Sequence, residues 1–391
     1  MSNAILDQYG TTIFTTMSDL ARTCDAINLG QGFPDEDGPY DVRAEAARWL
    51  LEESNQYPPS PGLPDLRAAV SESNKRHYDL DIPPEQVIVT SGATEALGDC
   101  LIGLLNPGDE IVVIEPLYDS YLPMIELAGA IAKPVRLSPP AWTLTEDLER
   151  AFGPRTKALL INSPMNPTGK VFTQAELERI AALCVQHDVI AICDEVYEHI
   201  AFGTPHIPLM TLPGMAERSV RIGSAGKTFS LTGWKIGYIS GPAYLIAAIQ
   251  RAHQFVTFTT AINLQGAVAY GLRKEDNYFN GLAADMGRRR KVLAGALSDI
   301  GFNVLPSDGT YFLSVDFTPL GFAPDDLDFC KTITREAKVG AVPMSAFYAP
   351  ERISGNPLTA VERSTARFCF SKKDEVLHEA ADRLARFIKS R

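Results

Sequence analysis

None of the six cysteines is spaced as a CxxC pair: Cys24, Cys100, Cys184, Cys193, Cys330 and Cys369 lie far apart, several of them inside apolar runs. Reduced core thiols are therefore expected, not a disulfide framework. The six histidines, His77, His187, His199, His206, His253 and His378, form no HExxH or other ligand spacing, so the pattern asks for no metal. Basic blocks are missing as well. With 36 Lys+Arg against 48 Asp+Glu, the formal charge of −12 argues against non-specific attraction to nucleic acid, and any anionic ligand must be held by a few local cations. There is no uncharged run of about 18 apolar residues to cross a membrane, and Met1-Ser2-Asn3-Ala4 lacks the basic and apolar regions of a secretory signal. A cytoplasmic protein with no nucleic-acid or membrane partner is expected. The stretch Gly30-Gln31-Gly32 is not a dinucleotide fingerprint, since the third glycine and the strand-to-helix setting are missing.

What is present is an ordinary globular composition, 45% hydrophobic and 21% charged over 391 residues, enough for about two domains. From Glu85 to about Gln254 short apolar runs alternate with helical patterns, the signature of a sheet covered by helices on both faces. Strands are expected at Gln86–Thr90, Glu110–Ile114, Ala158–Asn162, Val189–Cys193, Ser219–Gly223 and Ile236–Ser240, and a helix at Thr94–Leu105. Thr173 and Glu176 have the spacing of a capping box. Beyond Asp276 the pattern changes to a long helix, a strand at Tyr311–Val315 and a terminal helix from about Asp374, which suits a smaller α+β domain.

The segment from Ser224 to Gly237, SAGKTFSLTGWKIG, sets Lys227 among small residues directly after a strand. Small neighbours let a bulky ligand approach the backbone, and a sheltered lysine can lose its proton and attack a carbonyl. By spacing alone, a solvated loop lysine is the plainer reading. Asp194 follows the apolar run Val189–Cys193, where a carboxylate is costly unless partnered; a helix cap or an ion pair would serve as well as a ligand. Ser91-Gly92-Ala93-Thr94 lies between a strand and a helix, where free NH groups and the helix dipole favour an anion, although a ligand-free turn has the same look. Arg367 sits in the apolar run Arg367-Phe368-Cys369-Phe370, so some carboxylate should meet it, whether structural or a ligand's.

In order along the chain, these segments resemble the signatures of class I and II aminotransferases of the pyridoxal-phosphate (PLP) fold type I. The segment around Lys227 resembles the cofactor-lysine signature, and Asn166-Pro167-Thr168-Gly169 the NPTG turn. Asp194-Glu195-Val196-Tyr197 resembles the pyridine-binding strand end, and Ala366 to Phe370 the carboxylate-binding motif near the C-terminus. The likeness runs from Asn28 to the C-terminal helix and is greatest to the kynurenine, glutamine-phenylpyruvate and methionine aminotransferase group.

The resemblance implies an α/β fold: a large domain with a mostly parallel seven-stranded sheet between helices, plus a smaller α+β domain. Along this chain that means an N-terminal arm over residues 1–40, a PLP-binding domain over 41–279 and a small domain over 280–391. It implies PLP joined to Lys227, whose freed amine then moves a proton between substrate Cα and cofactor. Asp194 would keep the ring nitrogen protonated, with Asn166 and Tyr197 at the ring hydroxyl and Tyr118 on the ring face. Ala93, Thr94, Ser224 and Lys235 would hold the phosphate; Lys235 stands where the wider family has arginine and offers a point charge in place of a fork. Tyr57 is similar to the tyrosine that reaches the neighbouring subunit's phosphate, which implies a homodimer with shared sites. Arg367, with Gly32 and Asn166, would grip the substrate carboxylate. Phe14, Tyr57, Tyr118, Phe258 and Phe347 are candidate side-chain walls, Phe258 from the partner.

The expected reaction is ping-pong transfer of an amino group from an L-amino acid of methionine, aromatic, glutamine or kynurenine type to a 2-oxo acid. Two alternatives use the same lysine: a cysteine-S-conjugate or cystathionine β-lyase, and an aminotransferase for aspartate, prephenate or succinyl-diaminopimelate. The latter needs a distal cation that the sequence does not identify. A PLP-binding regulator would need a DNA-binding module, for which there is no room before Asn28. A nicotinamide oxidoreductase would need the absent glycine fingerprint.

Overall fold

Runs such as Val87–Thr90 and Ile190–Asp194 are apolar without alternation, as strands buried on both faces must be. A computed structural model of the protein describes residues 3–391. The runs form the centre of a sheet ordered Val87–Thr90, Gly237–Ser240, Ser219–Ser224, Ile190–Asp194, Thr156–Asn162, Glu110–Glu115, Ile131–Ser138 and Thr143–Leu144. All run the same way except Gly237–Ser240 and the two-residue edge strand Thr143–Leu144. Seven long strands thus stand where seven were expected, with a short eighth at the margin. The strand Ile131–Ser138 escapes the apolar pattern because Lys133, Pro134 and Arg136 interrupt it, and its neighbour on the outer side is only that short edge.

Successive residues of the central strands join different cores. Val113, Leu160 and Ile192 pack on one side, Val112, Leu159 and Ala191 on the other, so helices seal both faces with period two. The helix Gln174–His187 begins with the expected box: Thr173 Oγ1 accepts from the Glu176 NH while the Glu176 carboxylate accepts from the Thr173 NH. The helix expected at Thr94 begins two residues earlier, as Gly92–Leu104.

A second, antiparallel sheet is formed by Asn303–Val304, Phe312–Asp316, Thr365–Cys369 and Val342–Pro343. The long helix Asp276–Ile300, ended by Gly301 at φ 110°, packs against the terminal helix Asp374–Lys389. The N-terminal stretch is more regular than a bare arm. It contains the helix Ile13–Thr23, capped by Thr12, and a short strand, Ile27–Asn28, paired in parallel with Val339–Gly340. All six cysteines are free, five of them buried. No helix among the described residues is long and apolar enough to cross a membrane.

The parallel strands bring Thr90, Ser224, Asp194, Asn162 and Glu115 to one rim as their carboxyl ends. Ligands of open α/β sheets bind at that rim.

Candidate active site

At the rim lies a cavity of about 310 Å³. Its walls include Lys227, Asp194, Tyr197, Ala93, Thr94, Tyr118, Asn166, Ser224 and Lys235 from the strand ends and the turns that follow them. The N-terminal stretch adds Phe14 and Gly32, and the second sheet adds Arg367. Twelve of the fifteen residues picked from sequence therefore converge on one space.

Lys227 lies in a four-residue helical turn, Ala225–Thr228, directly after strand Ser219–Ser224. Its amine donates to Tyr311 Oη at 2.8 Å, and Tyr311 in turn donates to the Gly32 carbonyl at 2.9 Å. Burial lowers the lysine to about 8 despite the opposing charge of Asp194, which suits an amine that must be both base and acid near neutral pH. Asp194 ends its strand and accepts from Tyr121 Oη at 2.5 Å and from the Val196 NH at 3.4 Å. Burial nevertheless raises the carboxyl to about 6, against the effect of Tyr121, Val196 and Lys227. A cation placed beside it would bring the carboxylate back to its charged form.

Gly92, at φ 78°, lets the cradle close. A Cβ there would meet Lys235 Cε at 3.1 Å and Nζ at 3.2 Å. The Lys235 amine has no hydrogen-bond or ion-pair partner among the described residues, and it faces the start of the 13-residue helix Gly92–Leu104. Amide NH groups, a helix dipole, the Ser224 hydroxyl and a cation then suit a phosphate. One expectation needs correction: the Ser91 NH is not free, because the Glu95 carboxylate accepts it.

Arg367 is expected to meet a carboxylate, whether structural or a ligand's. No carboxylate meets it among the described residues. Nη1 donates to Asn166 Oδ1 at 2.7 Å and Nη2 to the Gly30 carbonyl at 2.6 Å, while the buried Nε has no partner. Phe312, Phe347 and Phe14 surround the guanidinium, which is centred 3.9, 5.0 and 5.2 Å from their rings. Burial lowers its pKa to about 10. Asn162 extends the connection by accepting the Asn166 NH at 2.7 Å and donating to the Asp194 carbonyl at 2.9 Å.

Three residues fall outside the cavity. Phe347 is fully buried behind Phe14 and is core, not wall. Tyr57 and Phe258 pack edge to face at 5.6 Å, are 83% and 45% exposed, and touch nothing in this chain's own cavity. Sequence reasoning missed Tyr311, Tyr121 and Asn162. Tyr311 opened an expected strand and Asn162 closed one, whereas Tyr121 carried no signal.

The cavity therefore fits a planar cofactor with an aldehyde, a ring nitrogen and a phosphate, next to a substrate carboxylate. The family described as aminotransferase class I and II matches residues 25–384. The chain is 45% identical to a probable N-succinyldiaminopimelate aminotransferase of Mycobacterium tuberculosis, over 98% of both chains. The solved structure of the enzyme of that name from the same organism superposes with a TM-score of 0.94 at 44% identity, covering 99% of this chain and 100% of the other. The methionine aminotransferase of Escherichia coli is 38% identical, over 97% of this chain and 96% of its own. Mouse kynurenine–oxoglutarate transaminase 3 is also 38% identical, over 95% and 86%.

Proposed function

Because the chain belongs to the class I and II aminotransferases, enzymes of amino-group transfer, we propose that it carries PLP on Lys227 and takes amino donors with long uncharged side chains, of methionine, aromatic, glutamine or kynurenine type. The observation that carries this reading is Arg367, a buried guanidinium without an anionic partner, opening on the same cavity as Lys227. An uncompensated buried cation is expensive, and a substrate α-carboxylate supplies the missing charge.

Bound PLP supplies an electron sink for the charge left when the substrate Cα proton departs. This chain's residues do the rest. Arg367 grips the carboxylate with two parallel donors, aided by Asn166 and the Gly32 backbone, and so orients Cα–H. The Lys227 amine would take that proton from Cα and deliver it across the substrate nitrogen, two bonds away, with Tyr311 Oη accepting a hydrogen bond from the amine and so fixing its place between transfers. Asp194, positioned by Tyr121, holds the proton of the ring nitrogen. Tyr197 and Asn166 would hold the ring hydroxyl, Tyr118 the ring face, and Ala93, Thr94, Ser224 and Lys235 the phosphate. The exposed pair Tyr57 and Phe258 serves the neighbouring subunit of a homodimer, Tyr57 at its phosphate. Domain limits near residues 40 and 279 separate arm, cofactor domain and small domain. The five buried free thiols accord with a reducing cytoplasmic setting.

A second reading is favoured by the relative at 45% identity: a donor of N-succinyldiaminopimelate type, with a distal carboxylate. Against it stands the cavity's lining, whose only cations are Lys227, Lys235 and Arg367. The test is the absorption spectrum of the PLP-loaded protein mixed with methionine, phenylalanine, kynurenine, glutamine, aspartate or the succinylated donor. Faster conversion by the uncharged donors supports the first reading, and faster conversion by a dicarboxylic donor replaces it. Pyruvate release from cystathionine without any oxo acid would point to β-elimination.

A further inference from the structure

Behind the cofactor loop lies a cluster that the chemistry above does not use. Glu95 and Asp99 stand one turn apart on helix Gly92–Leu104, and both face His253 from helix Ala243–Val256. His253 Nδ1 lies 2.8 Å from Glu95 Oε1 and 3.1 Å from Asp99 Oδ2, while Nε2 lies 2.9 Å from the Ser60 carbonyl. A carbonyl only accepts, so Nε2 carries a hydrogen; Glu95, whose carboxyl is held, despite burial, below its usual range by His253 and the Ser91 NH, accepts as well, so Nδ1 carries one too, while burial and the Glu95 charge push Asp99 upward. Hydrogen-bond accounting thus makes the ring an imidazolium held between two carboxylates. Burial opposes that charge, but Asp99, Glu95 and Ser60 outweigh it and raise His253 to about 9.

The three side chains offer ligand atoms within 4.8 Å of one another, a spacing a metal could in principle use. The proton is the better occupant. Nδ1 sits at hydrogen-bond distance from both carboxylates, whereas a bound transition metal holds each ligand at about 2.0–2.2 Å and needs more ligands than one nitrogen and two oxygens.

What the imidazolium holds is informative. Glu95, which it orients, accepts the Ser91 NH at the start of the Ser91–Thr94 loop. Ser60, on its other side, ends the segment that carries Tyr57 and is also held through Oγ by Gln250 Nε2 at 3.0 Å. The His253 carbonyl accepts from the NH of Phe258 at 3.0 Å. The buried side chain therefore ties the anion loop of its own cavity to the Tyr57 segment, while the backbone of the same residue holds Phe258.

We propose that His253, through Glu95, is a positioning residue that fixes the Ser91–Thr94 loop in its phosphate-binding form and locks it to the Tyr57 segment. This rests on the reading that the loop holds the PLP phosphate. The cost of losing the tie then falls on phosphate recognition and spares the rest of the cofactor.

The test compares PLP with pyridoxal, which lacks the phosphate, as ligands of the apo-protein titrated by absorbance. The wild-type protein is expected to prefer PLP strongly. His253→Gln, which keeps a polar side chain but no charge, is expected to lose PLP affinity roughly tenfold or more while pyridoxal affinity stays within twofold. An equal loss for both ligands means a structural role only and overturns the proposal, as does an unchanged preference. A wild-type protein without phosphate preference overturns the loop reading itself, and the proposal with it. Should His253→Gln fail to fold, Glu95→Gln decides. It keeps an acceptor for the Ser91 NH, loses the charge facing His253, and is expected to show the same selective loss; a full PLP preference there overturns the proposal.

Discussion

Replacing Arg367 with lysine tests the substrate grip most directly. The guanidinium already donates one hydrogen from Nη1 to Asn166 and one from Nη2 to Gly30, leaving Nε and the remaining hydrogens for a ligand. A bidentate carboxylate contact comprises two charge-assisted hydrogen bonds of about 1.5–3 kcal/mol each. Lysine keeps the charge but recovers about one of the two, and it cannot hold Asn166 and Gly30 at the same time. The net loss of one bond corresponds to a fall in kcat/KM of about 10- to 100-fold. Because donor and acceptor use one site in turn, methionine and the 2-oxo acid should lose by the same factor in separate half-reactions. The control is 3-(methylthio)propylamine, methionine without its carboxylate. Wild-type enzyme should handle it poorly, and Arg367→Lys should handle it no worse. An equal loss with this amine would show that Arg367 supports the fold of the cavity and does not grip the carboxylate, and would refute the assignment.

Tyr311→Phe removes the oxygen that accepts from Lys227 and donates to Gly32. About tenfold is expected to be lost from kcat with KM within threefold, and the isotope effect on an α-deuterated donor should rise; an unchanged isotope effect would count against a role in proton transfer. Tyr121→Phe deprives Asp194 of the side-chain bond that restrains its pKa near 6. The carboxyl then protonates more readily, so the acid limb of the kcat/KM profile should move to higher pH, and a fixed limb would dismiss the pair. Thr173→Ala breaks a capping box away from the cavity. Stability should fall by about 1 kcal/mol in denaturant titration while kcat/KM stays within twofold.

The sheet is legible because its central strands are buried on both faces, which forces the continuous apolar runs that the eye picks out. Ile131–Ser138 is not, since a strand near the margin has room for Lys133 and Arg136. The candidate site is legible where a motif is local: Lys227 in its small-residue turn, Asp194 at its strand end, Thr94 at its helix start. It is illegible where the contact is made across the chain. Tyr121 reaches Asp194 over 73 positions and Tyr311 reaches Lys227 over 84, and neither tyrosine has a neighbour that announces the bond. For Arg367, burial is readable from Phe368 and Phe370 but the partner is not. Carbonyl oxygens and aromatic faces satisfy part of a guanidinium's demand, so a protein carboxylate is not needed.

Charge provides the remaining constraint on the substrate. Lys227, Lys235 and Arg367 line the cavity with Asp194 as the single carboxylate beside them. A phosphate brings about two negative charges and an α-amino acid one carboxylate, while the ring nitrogen facing Asp194 adds one positive charge. Lys227, joined to the cofactor or acting as a base, adds no lasting positive charge, so the three positive charges of Lys235, Arg367 and the ring nitrogen already face about four negative ones, with none left over for a second carboxylate. Tyr57 and Phe258, the residues proposed to reach a neighbouring subunit, are uncharged and apolar in their contact with each other. A distal carboxylate entering this space would lose its water without gaining a counter-ion, a cost that selects against aspartate and for thioether or aromatic side chains. If a dicarboxylic donor nevertheless outruns methionine, its second carboxylate must meet a cation outside the cavity described, and the search for that cation begins among the exposed residues beside Tyr57 and Phe258, which on the proposed dimer reading enter the neighbouring cavity.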